Sequence, residues 1–462
     1  MFPADTYIQR RRLLETRLSS GIILFMGNED SPMNYAANIY PFRQDSSFLY
    51  YFGLDKPRLA AVIDLDQQSE IIFGDELTID EIIWTGPQPS MQEICEKAGI
   101  TQTKPLKMLK PLIDKAGNQN RTIHYLPQYR AENIITISQL LNIKPVKVNS
   151  NASEDLIRAV VAQRSVKSSE EIQEIEIALE VTRKMHIAAM EHSKPGVCEK
   201  EIVAMMESIA ISNGVRFAFP AIFSIHGETL HNTSWDNIMQ AGDLAINDSG
   251  AESPLHYAGD ITRTIPIGGK FSQQQREIYE TVLNAQQAAI DAIKPGIEFR
   301  NVHRIAAIEL LAGIKELGLI KTSPEQAVDA GAHTLFFQCG LGHALGLDVH
   351  DMEPLGEDYV GYTKTIKRRS EFGWKWLRLA KALEPGYVIT VEPGIYFIPH
   401  LIDIWKSQNK LADFVDYTQL EKYRTFGGVR IEDDILVTDT TCRILGQQIP
   451  KNIDEIEAIS CK

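Results

Sequence analysis

The sequence predicts an α+β chain of two domains, a smaller α/β domain followed by a larger one whose two halves repeat one pattern. Three observations carry this. The chain has 462 residues, about three times a typical domain. Its short apolar runs give way near residue 160 to long amphipathic stretches. Between residues 168 and 438, two helical patterns followed by strand-like segments occur twice over, which predicts pseudo-two-fold symmetry with a site between the halves.

Residues 1–160 are the expected first domain and 161–462 the second. In the first, GIILFMG (21–27), FLYYFGL (48–54), AAVIDLD (60–66) and EIIFGD (70–75) are apolar runs bounded by turn residues, and each predicts a strand. The polar stretch VNSNASED (148–155) predicts a boundary before a helix through LIRAVVAQR. Beyond it, Ser168 and Glu171 have the spacing of a capping box, Ile172, Ile175, Leu179 and Ile187 follow at helical period, and Pro195-Gly196 stops the run. A second helix is predicted over 200–212, then strands at LAIND (244–248) and DITRTIPI (260–267). The second half repeats the order. Ser272 and Gln275 form a capping box, Ile278, Val282, Ala285 and Ala289 mark a helix, and another covers 301–318. Strands follow at YVITVEP (387–393) and VRIEDDILVT (429–438).

Composition excludes several classes. Hydrophobic residues at 44% and charged residues at 23% are those of a folded globular protein. Asp and Glu total 61 against 47 Lys and Arg, a net charge of -14, which repels phosphate backbones and anionic lipid. Nucleic acid and membrane are therefore not expected partners. The basic stretch KTIKRRSEFGWKWLRLAK (364–381) reads as a solvated loop. The five cysteines are scattered without a C-x-x-C pair, so neither a disulfide framework nor a thiolate zinc site is indicated. MFPADTYIQRRRLL has no signal-peptide core, and no apolar run approaches the ~18 residues that cross a bilayer. The expected location is the cytoplasm.

Five candidate metal ligands lie on or beside the predicted strands: Asp248 (AINDSGAE), Asp260 (GDITRT), His343 (GLGHALGLDVHD), Glu392 (TVEPGIYF) and Glu432 (VRIEDD). Four carboxylates and one imidazole suit hard divalent ions better than a closed structural zinc site. Period-two alternation puts Asp260, Thr262 and Thr264 on one face of their strand and Arg430, Glu432 and Asp434 on one face of theirs. Crowded carboxylates need counter-charge, and two divalent cations would supply it. Taken singly, each residue has an ordinary role: an Asx turn for Asp248 or Asp260, a satisfied buried histidine for His343, a turn residue for Glu392, a solvated strand face for Glu432. Their joint context reverses that balance.

In order, NDSGAE...GDITRT, GLGHALGLDVHD, TVEPGIY and GGVRIEDD resemble the metal motifs of the pita-bread-fold metallopeptidases, a family that includes aminopeptidase P, prolidase and methionine aminopeptidase. The likeness spans about 168 to 440. The N-terminal YPFRQDSSFLYYFGL (40–54) is similar to the first domain of the proline-specific branch. The resemblance implies a pita-bread catalytic domain holding two divalent ions, Mn²⁺ first, with Co²⁺ or Zn²⁺ as alternatives. It implies that Asp248 chelates one ion, His343 and Glu392 the other, and Asp260 and Glu432 bridge both. His231 and His350 would hold the substrate carbonyl, while Arg430 and Thr262 would support the ligands from behind. Twelve positions separate Asp248 from Asp260, one more than the family pattern, so the turn ESPLHYAG (252–259) is expected to bulge. The stretch between Asp351 and Trp376 is also longer than the pattern.

The implied reaction is hydrolysis of the bond before proline by an activated water, with Glu392 carrying the proton to the proline nitrogen. Two substrate classes stay open. LRLAKALEPGYVITVEPGIYFIPHLID resembles prolidase, an Xaa-Pro dipeptidase, and in that alignment Arg378 falls where the family clamps a dipeptide's terminal carboxylate. YPFRQDSSFLYYFGL is nearer to aminopeptidase P, which releases the first residue of longer Xaa-Pro peptides. The dipeptidase is the first expectation. A metal-free binding module on the same fold is the remote alternative, opposed by the intact ligand set. Relatives commonly form homo-oligomers, and a dimer is expected.

Overall fold

The structure, a computed structural model, describes residues 1–232 and 234–461. The chain divides into two compact units, one of Met1–Arg164 with Met352–Tyr359, the other of Ser165–Asp351 with Val360–Lys462.

In the first unit the apolar runs become short strands because alternate residues on both faces find cover. Strands β1 (Ile22–Met26) and β2 (Ala60–Asp64) are buried throughout, and β3 (Ser69–Phe73), β4 (Thr103–Lys104) and β5 (Ile123–Tyr125) complete one sheet. Its order is β4-β3-β2-β1-β5, antiparallel within β1–β3 and parallel at both edges. Ile22, Leu24, Val62, Ile71 and Phe73 pack there with Ile113, Ile137 and Leu140 from two helices.

One expected strand is a helix. FLYYFGL lies in the helix Ser46–Phe52, every residue of which is buried. A run that is apolar all round carries no period to separate strand from buried helix. The end signals decide it: Asp45 accepts the Phe48 N–H at 2.9 Å as N-cap, and Gly53 takes the left-handed conformation as C-cap.

In the second unit both expected capping boxes are present. Ser168 opens the helix Ser169–His192, exchanging hydrogen bonds with Glu171, and Ser272 does the same with Gln275 for the helix Gln273–Ala292. Their partner helices are Glu199–Ser212 and Phe299–Glu316. After the first pair comes the antiparallel sheet β6 (Ile222–Ser224), β7 (Leu244–Ser249) and β8 (Ile261–Pro266). After the second come β9 (Val388–Val391), β10 (Gly394–Tyr396), β11 (Gly428–Arg430), β12 (Asp433–Val437) and β13 (Cys442–Ile444). They form a β13-β12-β9 sheet and a β10-β11 pair. Helix pair then sheet, twice over, is the pita-bread arrangement expected from the sequence.

The turn after β7 bulges as expected. Up to the loop, Ser249 faces Ile261, Glu252 bridges Ala258, and Ser253 N–H donates to the Tyr257 carbonyl, one unbroken register. The extra residue falls in the three-residue loop 254–256, where the His256 N–H donates to the Ser253 carbonyl at 2.8 Å and His256 takes the left-handed conformation of a G1-type bulge beside Tyr257. One local expectation is corrected: the predicted strand 429–438 is two strands, β11 and β12, interrupted at Ile431 and Glu432. Opposite the break stands Pro393, which has no N–H to give to a ladder. There the chain leaves β10 for β9, and Glu432 bridges Thr262 on β8 instead.

Candidate metal centre

That break places Glu432 at the junction of the two sheets, with its N–H donating to the Thr262 carbonyl at 3.1 Å. Extending the β9–β12 register by one residue, past Val391 opposite Asp433, sets Glu392 across from Glu432. Asp260 lies one residue before β8, its N–H donating to Asp434 Oδ2 at 3.0 Å. Asp248 is on β7, opposite Thr262. His343 comes from a loop laid along β9, where its N–H donates to Thr390 Oγ1 and its carbonyl accepts the Thr390 N–H. Gly342 permits this approach, since a Cβ there would lie 2.0 Å from the Thr390 carbonyl oxygen.

The charges do not balance within the protein. His343 Nδ1 faces the Ala344 carbonyl at 3.1 Å and must donate to it, so Nε2 carries the lone pair. Yet Nε2 points at two further acceptors, Asp260 Oδ2 and Glu392 Oε1, each 3.5 Å away. Asp260 Oδ1 and Glu432 Oε1 are buried with no hydrogen-bond partner among the described residues. Asp260, His343 and Glu432 offer ligand atoms within 4.8 Å of one another. Oxygen and nitrogen ligands held at about 2.1 Å by one cation stand roughly 3.0 to 3.4 Å apart. Acceptors facing acceptors at such spacing, buried and without donors, fit divalent cations.

The pKa directions repeat the point. Burial first, then the Asp248 charge, pushes Asp260 well above the usual carboxylate range. Glu432 is raised in the same way by burial and by Asp260, Glu392 and Asp248. Burial lifts Glu392 to about 7 against the opposing pull of His343 and Arg430. The Arg430 guanidinium donates to Asp248 Oδ2 at 2.5 Å, to Thr262 Oγ1 at 3.1 Å and to Tyr396 Oη at 2.9 Å. Thr262 in turn donates to Glu432 Oε2 at 2.6 Å. Arg430 and Thr262 thus tie Asp248 and Glu432 into one network, and they leave its negative charge in excess.

The structure therefore brings Asp248, Asp260, His343, Glu392, Glu432, Thr262 and Arg430 together. The His350 ring packs edge-on against His343 with centroids 4.4 Å apart. Burial, then His343, Arg378 and His231, lower its pKa to about 2, so it is neutral. Burial lowers His343, with a smaller push from the half-buried Arg378 against the opposing pull of Glu392. His231 lies exposed in the loop after β6. Sequence reasoning missed Tyr396 and Thr390. Thr390 was legible as the residue two before Glu392, hence on the same strand face, whereas only the fold brings Tyr396 to Arg430.

An α+β fold with a buried carboxylate and imidazole cluster of this kind defines a metal-dependent enzyme. The chain belongs to metallopeptidase family M24, whose model matches residues 173–439, and the model of the aminopeptidase P N-terminal domain matches residues 7–124. It is 30% identical to human Xaa-Pro dipeptidase, with 95% of this chain and 88% of the relative covered. To the Xaa-Pro aminopeptidase of Escherichia coli K12 it is also 30% identical, over 98% and 96%. Among solved structures, Escherichia coli aminopeptidase P with the inhibitor Pro-Leu superposes with a TM-score of 0.81 at 29% identity, over 99% of this chain and 98% of that one. Pseudomonas aeruginosa aminopeptidase PepP gives 0.82 at 27%, with the same coverage. Membership of this family implies divalent metal ions. Among the described residues no helix is long and apolar enough to cross a membrane.

Proposed function

We propose that this chain is an Xaa-Pro dipeptidase, with residues 161–462 as its catalytic domain and 1–160 preceding it. The observation that carries the choice is Arg378, whose charge acts on both His343 and His350. A guanidinium near His343 and His350 suits a substrate whose free carboxylate ends one residue past the scissile bond.

Asp248, Asp260, His343, Glu392 and Glu432 would hold two divalent ions, Mn²⁺ in the first instance. When bound there, such ions polarise a carbonyl and lower the pKa of water. Glu392 takes the proton of the attacking water and delivers it to the proline nitrogen as that nitrogen leaves. Neutral His350 would donate to the developing oxyanion, with His231 as the second donor. Arg378 fixes the proline carboxylate. The bond before proline lacks an N–H, so the pocket needs no acceptor for one.

The second reading is an Xaa-Pro aminopeptidase, favoured by the aminopeptidase P structures that superpose on the whole chain. Purified protein in Mn²⁺, assayed on Ala-Pro and Ala-Pro-Ala, separates the two. The dipeptidase reading expects Ala-Pro to be cut with the larger kcat/KM. A preference for the tripeptide would give the assignment to the aminopeptidase. A cytoplasmic dimer is part of the proposal, and sedimentation of the pure protein tests its oligomeric state.

A further inference from the structure

The stretch 361–380 is an excursion of the chain that returns through Arg378, and its exposed Lys364, Lys367, Arg368 and Lys375 fit the solvated loop expected from the sequence. Its base and its return are built otherwise. The Gly361 carbonyl accepts the N–H groups of Ala380 and Lys381, each at 2.9 Å, closing a neck. Tyr362, Ile366, Leu377 and Ala380 are buried together inside it, and the Tyr362 hydroxyl donates to the Leu377 carbonyl.

The returning backbone runs between two glycines. A Cβ on Gly361 would lie 1.9 Å from the Arg378 carbonyl oxygen, and one on Gly340 would lie 2.9 Å from the Trp376 carbonyl oxygen. At the far end the Trp374 ring packs on two buried histidines, with centroids 5.0 Å from His303 and 5.3 Å from His333. The Arg369 guanidinium covers Trp374 at 4.3 Å. Arg378 follows Trp374 by four positions, so the backbone that carries Arg378 is pinned on both sides.

We propose that Gly361 and Trp374 are positioning residues that aim Arg378 at the carboxylate of the substrate, an inference that rests on the dipeptidase reading above. The excursion is then a bracket for substrate selection, and its exposed basic residues are incidental to that role. Neither Gly361 nor Trp374 touches the carboxylate cluster, so their effect should fall on recognition of the substrate end and not on the chemical step.

The test compares Ala-Pro with Ala-prolinamide, which shares the scissile bond and lacks the carboxylate, in Arg378→Ala, Gly361→Ala, Trp374→Ala and Trp374→Phe. A charge-assisted hydrogen-bonded pair is worth about ten-fold or more in binding. Arg378→Ala should therefore erase the preference for the acid. Gly361→Ala and Trp374→Ala should cut the same preference about ten-fold, through a higher KM for Ala-Pro with kcat nearly kept. Trp374→Phe should restore most of it. If Arg378→Ala abolishes the preference while Gly361→Ala and Trp374→Ala leave it intact, the positioning roles fail and the dipeptidase reading stands. If Arg378→Ala leaves the preference unchanged, the dipeptidase reading itself fails. Equal losses on acid and amide in Trp374→Ala, without rescue by phenylalanine, would reduce its role to general stability. The two positions are independent, so misfolding of one variant leaves the other decisive.

Discussion

Replacing Glu392 by glutamine should stabilise the metal-free protein while removing its activity. Glu392 titrates at about 7 in the folded chain, against 4.5 for an ordinary glutamate, chiefly because it is buried. At ~1.36 kcal/mol per pH unit, ionising it inside the fold costs ~3 kcal/mol at neutral pH. About a fifth of its side chain is exposed, and solvent screening trims the figure to ~1.5 to 3 kcal/mol. An amide of the same shape avoids that cost, and its NH₂ can donate to His343 Nε2, now 3.5 Å from Glu392 Oε1. The second unit, roughly 290 residues long, unfolds with an entropy of ~0.6 kcal/mol per kelvin, so the gain corresponds to ~2.5 to 5 °C. The sign with pH follows from the raised pKa. The folded state holds this proton to higher pH than the unfolded state, so the wild-type penalty is absent below pH 4.5 and grows as pH rises towards 7. Thermal melts in excess chelator at pH 7 and pH 5 should show the variant ahead at pH 7 and nearly level at pH 5. A variant that melts below the wild type at pH 7, or a gain that ignores pH, would refute the claim that these carboxylates await a cation.

Three other outcomes are expected. Asp260→Ala or Glu432→Ala should abolish turnover and lower the bound metal measured by elemental analysis, because each offers one buried oxygen with no hydrogen-bond donor among the described residues; near-normal turnover in either would place the bridging role elsewhere. Arg378→Ala should harm Ala-Pro at least ten-fold more than Ala-Pro-Ala, read from kcat/KM. Burial lowers His303 to about 3, so it folds neutral and its contribution is lost as pH falls from 6.5 towards 3, by ~2 kcal/mol at pH 5. His303→Gln should accordingly narrow the fall in urea midpoint between pH 7 and pH 5.

Most of the second unit was legible because its elements announce their own ends. Ser168–Glu171 and Ser272–Gln275 are local devices that form wherever the chain is helical, and the strands around Asp260 and Glu392 are short apolar-rich runs bounded by glycine and proline. FLYYFGL failed for the opposite reason, since burial on every side erases periodicity and the informative residues were Asp45 and Gly53 at its margins. The break at Glu432 was not legible from its own strand at all. It is imposed from across the ladder by Pro393, and only the pairing of segments about forty residues apart in sequence reveals it.

The same break explains why the site residues were recognisable by type but not by arrangement. A continuous strand would hold Glu432 within a single sheet. The interruption frees it to bridge Thr262 on β8, which brings the two halves of the repeat together at the carboxylates. The cluster is costly there, since Asp260 and Glu432 are buried beside like charges, and Arg430 with its three partners offsets only part of that cost. Folding forces alone would disperse such groups or pair them. Their retention at the seam between the halves, with a histidine lone pair aimed among them, is the signature of a centre completed by metal.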